Sequence, residues 1–435
     1  MKRISSKVIS KKTRQDNRIL HLSDSGDGAQ SRKFKKKVHG LRREILRFTK
    51  DLIGIATENP PGAKYSECIE FISARLKDFG LRTRIIKISS HGDRAHRRYC
   101  LLSSYGKGKK KLYFHAHYDV VPGTDAKHFK PYIRGNKLYG RGAADMKGGL
   151  AAMVYAVRAV QLLNAELDGQ ICLVIVPDEE TGGKAGSGHL FERGYIKKED
   201  GIGMLMPEPT SGTIWNACRG ALSLSVKIRG KPVHVVLHKD GVNAFEQMVS
   251  LSAALLKYKK TVERRKTKYA VLPGESRNSI LMLGGLCQCG TNFNVVPGVC
   301  KFTIERRINP EENFARQKRR LLAIFDRFRQ TGMKIDLEIL QEGESAGVSP
   351  DSALARVLVR SVGDVTGQRP RFNMCPGLLE IRYYLQNGIP AYAYGPGLLA
   401  KAHNPDEFVQ VERMIDCASV YGLTALRLLA GKDGS

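Results

Sequence analysis

Leu112-Tyr113-Phe114-His115-Ala116-His117-Tyr118-Asp119-Val120-Val121-Pro122 opens as a short apolar run and closes on two histidines and an acid. Such a run, bounded by polar residues, reads as a buried strand with ligand-type side chains at its end. The same arrangement returns at Ile171-Cys172-Leu173-Val174-Ile175-Val176, followed by Pro177-Asp178-Glu179-Glu180-Thr181-Gly182-Gly183. Between the two runs Leu150, Met153, Val154, Val157 and Val160 recur at helical spacing. Strand, helix and strand with short connections predict an α/β sheet with helices on its faces.

Towards the N-terminus, Leu41 to Ile55 has a helical pattern and Asn59-Pro60-Pro61-Gly62 forms a turn. Residues 1–38 are basic, lack periodicity and are expected to be disordered. Towards the C-terminus the texture changes near Cys218. Ala221 to Ile228 alternates like a half-exposed strand, and a helix follows with Phe245, Met248, Val249 and Leu256 on one face. Strands at Ser279–Leu283 and Lys301–Ile304, a helix opening at Pro310 and a strand at Lys334–Leu340 complete the order βαββαβ. That order predicts a small α+β domain inserted at 217–341, which splits the catalytic domain into 39–216 and 342–435.

A chain of 435 residues suits two domains. No apolar run approaches the roughly 18 residues that span a bilayer. The nine cysteines lack paired C-x2-C clusters, and they read as mostly reduced core thiols in a cytoplasmic protein. The net charge is +30, and residues 1–40, with twelve Lys/Arg against three Asp, leave +21 elsewhere. Basic surfaces attract phosphate. No nucleic-acid module and no interleaving of aromatics with the basic runs is present, and steering of anionic substrates or adaptation of solubility explains the charge as well.

Five segments carry chemistry, two of them the strand ends already quoted. On an extended backbone His117 and Asp119 project to the same side, as a ligand imidazole and the carboxylate that holds its tautomer would. Tyr139-Gly140-Arg141-Gly142-Ala143-Ala144-Asp145-Met146-Lys147-Gly148-Gly149 surrounds one acid with glycines just before a helix. A helix cap does not need that glycine density, whereas a carboxylate bridging two cations accounts for it. The adjacent Glu179 and Glu180 can point apart, one to bind metal and one to activate water. Pro207-Glu208-Pro209-Thr210 and Ala402-His403-Asn404-Pro405-Asp406-Glu407 each offer one more ligand held by prolines.

With these motifs, and with Gly241–Ala244 and Asn294–Pro297, the chain resembles the metallopeptidase and deacylase family of acetylornithine deacetylase, succinyl-diaminopimelate desuccinylase, aminoacylase and carboxypeptidase G. The resemblance covers about residues 45–430. It implies a mixed-sheet, zinc-peptidase-like catalytic domain with an inserted lid and dimerisation domain. It further implies two divalent ions (zinc, or cobalt or manganese) bridged by Asp145. His117 and Glu208 would complete one site, and Glu180 and His403 the other. Asp119 would orient His117, and Glu179 would be the general base. His234 would reach an active site, usually the partner subunit's, to stabilise an oxyanion. Asn294 and Arg307 would grip a substrate carboxylate. The implied reaction is hydrolysis of the amide of an N-acyl amino acid or small peptide by a homodimer. Dipeptidase or carboxypeptidase activity is the alternative within the family, and a silent ligand- or nucleic-acid-binding member the alternative outside it. One stretch departs from the family's Gly-Gly-Thr/Ser-Asp-x-Arg: here Pro376-Gly377-Leu378-Leu379-Glu380-Ile381-Arg382 puts leucine where relatives carry a hydroxyl.

Overall fold

The computed structural model describes residues 27–88 and 97–430. Its eight-stranded sheet is organised around one 20-residue strand, Arg98–His117. The first half of this strand pairs antiparallel with Thr83–Ile88. The second half pairs parallel with Gly201–Met206, and Asp168–Val176 runs parallel along the opposite side. The sheet is therefore mixed, and its three central parallel strands all end at one edge. His117 terminates the first, Glu179 follows the second and Glu208 follows the third. Open α/β sheets hold their ligands at that edge, beyond the carboxyl ends of the strands.

The helix Gly148–Gln161 is apolar almost all round, which suits burial on every side. It packs between the sheet and the last helix, Val411–Leu429. The core of this unit includes Phe114, Tyr155, Val174, Trp215 and Tyr421, all essentially inaccessible.

A second sheet of four antiparallel strands comprises Gly220–Arg229, Ile280–Cys289, Val299–Ile308 and Lys334–Gly343. With the helices Ala244–Val262 and Phe314–Gln330 it follows the order βαββαβ along the chain. It has its own apolar cluster, in which Leu222, Leu224, Val226 and Ile228 meet Leu251, Phe302, Leu321 and Phe325. Two details differ from the sequence reading. Gly220–Arg229 is a central strand rather than a half-exposed one, because Lys334–Gly343 and Val299–Ile308 flank it. Its small serines are covered, and the Ser223 hydroxyl donates to Glu305 at 2.5 Å. The later helix starts at Phe314 because Asn313 caps it, accepting from the Arg316 amide at 2.8 Å.

The expected disorder of residues 1–38 does not hold for its last part; residues 1–26 lie outside the described residues. Asp27–Gly40 is a helix, and its Phe34 and Val38 are fully buried. Gly422 of the last helix lies against the Phe34 ring so closely that any Cβ there would overlap it. Only these two apolar residues, one turn apart among lysines, contact the core, too few to register as periodicity. The cysteine reading also needs one correction. Cys289 and Cys300, cross-strand neighbours in register, form a disulfide; the other seven are free and six of them are buried.

Phe34→Ala should destabilise the protein by roughly 3–5 kcal/mol, as truncation of a buried phenylalanine does. A chain beginning at Val38 should melt below one beginning at Asp27. Equal thermal midpoints for those two chains would show that the N-terminal helix contributes nothing.

Candidate metal centre

Asp145 sits in a kinked turn between Gly142, at φ 83°, and the helix Gly148–Gln161. The glycines here serve close approach. A Cβ on Gly149 would meet the Pro207 carbonyl oxygen at 2.4 Å, and one on Gly142 would meet Val120 at 2.6 Å. The turn can thus press against the segment that carries Glu208. Glu407 fixes it from the far side. Its carboxylate accepts from the amides of Ala144 (2.9 Å) and Asp145 (3.1 Å) and pairs with Arg141 at 2.7 Å. Burial and the charge of Asp145 push the Glu407 carboxyl up to about 7, against the pull of Arg141. Lys147 is also buried, donating to the carbonyls of Leu52 (2.9 Å) and Ile55 (2.7 Å), and burial lowers its ammonium to about 8.

Two groups of ligand-type atoms share Asp145. His117, Asp145 and Glu208 form one; Asp145, Glu180 and His403 form the other. His117 Nε2 lies 3.3 Å from Asp145 Oδ1 and 3.7 Å from Glu208 Oε1. His403 Nε2 lies 3.3 Å from both Asp145 Oδ2 and Glu180 Oε2. His403 takes a left-handed φ of 63°, a strained conformation for histidine that aims its ring inward.

Asp119 connects the parts. Its main-chain oxygen lies 3.0 Å from His117 Nδ1, and its carboxylate 3.4 Å from the same atom. A donor at Nδ1 leaves the Nε2 lone pair for a cation. The Asp119 carboxylate also accepts from Asn59 (2.8 Å) and from the amides of Glu179 (3.2 Å) and Glu180 (3.1 Å), tying the second strand end to the first.

The electrostatics fit a pair of cations. Burial, together with mutual repulsion, raises the proton affinity of Glu179, Glu180 and Glu208. Asp145 goes the other way: despite its burial, His117 and His403 hold it below the usual carboxylate range. His117 pays for its burial through Asp119 and Asp145, which raise its pKa well above the ordinary histidine value. Bonds to Asp145 and Glu180 lift His403 to about 11. The buried atoms Glu180 Oε1 and Glu208 Oε1 have no hydrogen-bond partner. Orphaned carboxylate oxygens facing imidazoles, in a set of two His and three carboxylates, form a donor set that suits zinc, cobalt or manganese.

The structure does not join His234, Asn294 or Arg307 to this cluster by any hydrogen bond or ion pair among the described residues. All three lie on the α+β unit. His234 is exposed, its Nδ1 accepting from the Val236 amide at 3.4 Å. Asn294 is half-buried nearby, and its main-chain oxygen accepts from Val235 at 2.9 Å. Arg307 pairs with Glu305 at 2.7 Å, while Arg306 is buried against Glu312 at 2.8 Å. Sequence reasoning missed Asn59, Glu407 and Arg382 as parts of the site. Asn59 was visible only as a turn residue before two prolines. Arg382 is buried and donates to the Gly182 carbonyl beside the glutamate pair. Glu380, in the same departing stretch, accepts from His115 Nε2 at 2.8 Å, with the ring in the tautomer protonated there.

The model of the peptidase family M20/M25/M40 matches residues 113–427. The chain belongs to this family. As an M20/M25/M40 peptidase it is a hydrolase, and its relatives include enzymes of amino-acid metabolism. It is 27% identical over 395 residues to succinyl-diaminopimelate desuccinylase of Marinobacter nauticus, covering 88% of this chain and 98% of the relative. It is 27% identical over 352 residues to acetylornithine deacetylase of Pasteurella multocida, covering 79% and 86%. Its fold is similar to that of a di-peptidase from Saccharomyces cerevisiae, with a TM-score of 0.75 and 14% identity over 92% of this chain and 98% of that one. No helix among the described residues is long and apolar enough to cross a membrane.

Asp145→Ala should abolish metal binding at both ligand groups, and Asp119→Ala should weaken it by about 10–100-fold. Elemental analysis after dialysis measures both; an Asp145→Ala protein retaining two equivalents would refute the shared ligand. The pH dependence has a definite sign. In the metal-free protein the His403 ion pairs stabilise the fold below the ordinary histidine pKa, and that contribution fades as pH rises through about 11. A metal must displace this proton, so zinc affinity should rise between roughly pH 6 and 8, with protons released. Calorimetry in buffers of different ionisation enthalpy counts them, and none released would contradict the assignment.

Proposed function

We propose that this hydrolase uses two metal ions to cleave the amide bond of an N-acyl amino acid or small peptide that keeps a free carboxylate. The observation that carries the reading is the Asp145 carboxylate, which offers one oxygen to each ligand group, with Glu179 beside them. His117, Asp145 and Glu208 would hold one ion, and Asp145, Glu180 and His403 the other. Two such ions supply Lewis-acid polarisation of the scissile carbonyl and make a nearby water acidic.

The chain's own groups do the rest. Burial, chiefly, gives Glu179 a stronger hold on a proton than a free carboxylate has. It is therefore suited to take a proton from the attacking water and hand it to the leaving amine. The Asp119 bond to its main-chain amide keeps it in place at the strand end. His234, delivered from a second copy of the chain, would donate to the developing oxyanion. Asn294 and Arg307 would grip the substrate carboxylate, a task that suits the guanidinium fork. Delivery from a second copy requires a homodimer through the α+β unit. Exposed Phe245, Val249 and Leu256 on its helix and Leu286 on its edge strand support that surface. Six buried free thiols favour the cytoplasm, and the net charge of +30 suits capture of anionic substrates.

The test is a panel of N-succinyl and N-acetyl amino acids and dipeptides, each with a carboxamide counterpart, assayed with metal-loaded protein and with Glu179→Ala. The wild-type chain should turn over at least one carboxylate-bearing amide and disfavour its carboxamide. Glu179→Ala should lose about 10²–10⁴-fold in kcat with unchanged metal content. Inactivity across the panel with both ions bound would reject the reading.

A further inference from the structure

Away from the ligand cluster, a cleft of about 580 Å³ opens between the Ser211–Thr213 turn, the segment 368–371, the last helix and Lys35 of the N-terminal helix. Clefts of that size hold small molecules. Arg369, Arg371 and Arg413 all line it, and none of their side chains donates a hydrogen bond or closes an ion pair within the described residues. Arg369 and Arg371 flank Pro370 ahead of the strand Phe372–Cys375, so on an extended segment they project to one side. Arg413 is half-buried, its guanidinium close over Gly212. The one carboxylate lining the cleft, Asp416, already has Lys35 at 3.6 Å, and Lys35 also donates to the Val365 carbonyl at 2.8 Å. Some cations elsewhere on the surface do find acids, as Lys401 does with Asp406 at 2.7 Å and Lys110 with Asp168 at 2.8 Å.

Three unpaired guanidiniums in one concavity reinforce each other's potential, and a bound anion is what offsets it. Their planar forks match the oxygens of a phosphate two at a time. We propose that this cleft is a binding site for a small phosphate-bearing anion, separate from the metal ligands and held by Arg369, Arg371 and Arg413. An anion there would also clasp the turn that continues from Glu208. Ser211 in that turn, at a left-handed φ of 55°, donates its amide to Gly397 at 3.0 Å and accepts from the Leu399 amide at 2.9 Å, just ahead of His403.

The probe is inorganic phosphate, titrated calorimetrically into the metal-loaded full-length protein at constant ionic strength. Arg369→Ala/Arg371→Ala, Arg413→Ala and, as a control on the α+β unit, Lys257→Ala/Lys260→Ala are titrated alongside. The wild-type chain and the control should show one saturable event that Arg413→Ala weakens about tenfold and the double arginine variant loses. Arg413→Lys, which keeps the charge but not the fork, should fall between wild type and Arg413→Ala. Arg369 and Arg371 are exposed, so their variants will fold even if Arg413→Ala does not. Saturable binding equal in all variants would place the phosphate at the metal ligands and overturn the proposal, as would the absence of any saturable event.

Discussion

Four carboxylates, those of Asp145, Glu179, Glu180 and Glu208, meet at one edge of the large sheet with only two imidazoles to answer them. Water would normally screen such a cluster, but His117 is fully buried and Glu208 nearly so. The chain accepts this arrangement because the remaining architecture enforces it. Three parallel strands end side by side, Gly149 lets the Asp145 turn lie on Pro207, and Asp119 ties the glutamate pair to the histidine strand. Buried like charges that stay in register are tolerable only where bound protons or cations offset them. The glycines, the buried Arg141–Glu407 pair and the interior Lys147 all follow from that requirement.

Much of this was legible in the sequence because each of His117, Glu180 and Glu208 directly follows an apolar run. A strand end is a place that local pattern can mark, and the order of strands then puts the three together. Groups that act from a distance left no local mark. Glu407 and Asn59 reach the site from loops hundreds or tens of residues away; Glu407 stands just after His403 and Asn59 opens a proline turn, but nothing local assigns either to the Asp145 turn or to Asp119. The N-terminal helix escaped for a related reason. Its two core contacts, Phe34 and Val38, are too sparse for periodicity. The Cys289–Cys300 pair depends on the register between two strands, which spacing alone does not give.

The α+β unit is a separate case. Its order of elements could be read from alternation and helical spacing, because it buries a small core of its own. The work proposed for its residues involves groups that its own core does not hold, and its fold says little about when His234 or Arg307 would meet a substrate. The two parts of the molecule therefore differ in kind: one is set by its own interior, and the other would be completed by what it touches.

Glu407 holds the amide of Asp145 across 262 residues of chain, and His403 lies just before it. On the ribosome, Asp145, Glu180 and Glu208 all emerge well ahead of either. Until the polypeptide has passed residue 407, the nascent protein exposes a half-built acidic edge with neither its last imidazole nor its clamp. On the proposed ligand set, the chain would hold no complete two-ion site during its own synthesis, and fragments ending before residue 403 would lack hydrolytic activity.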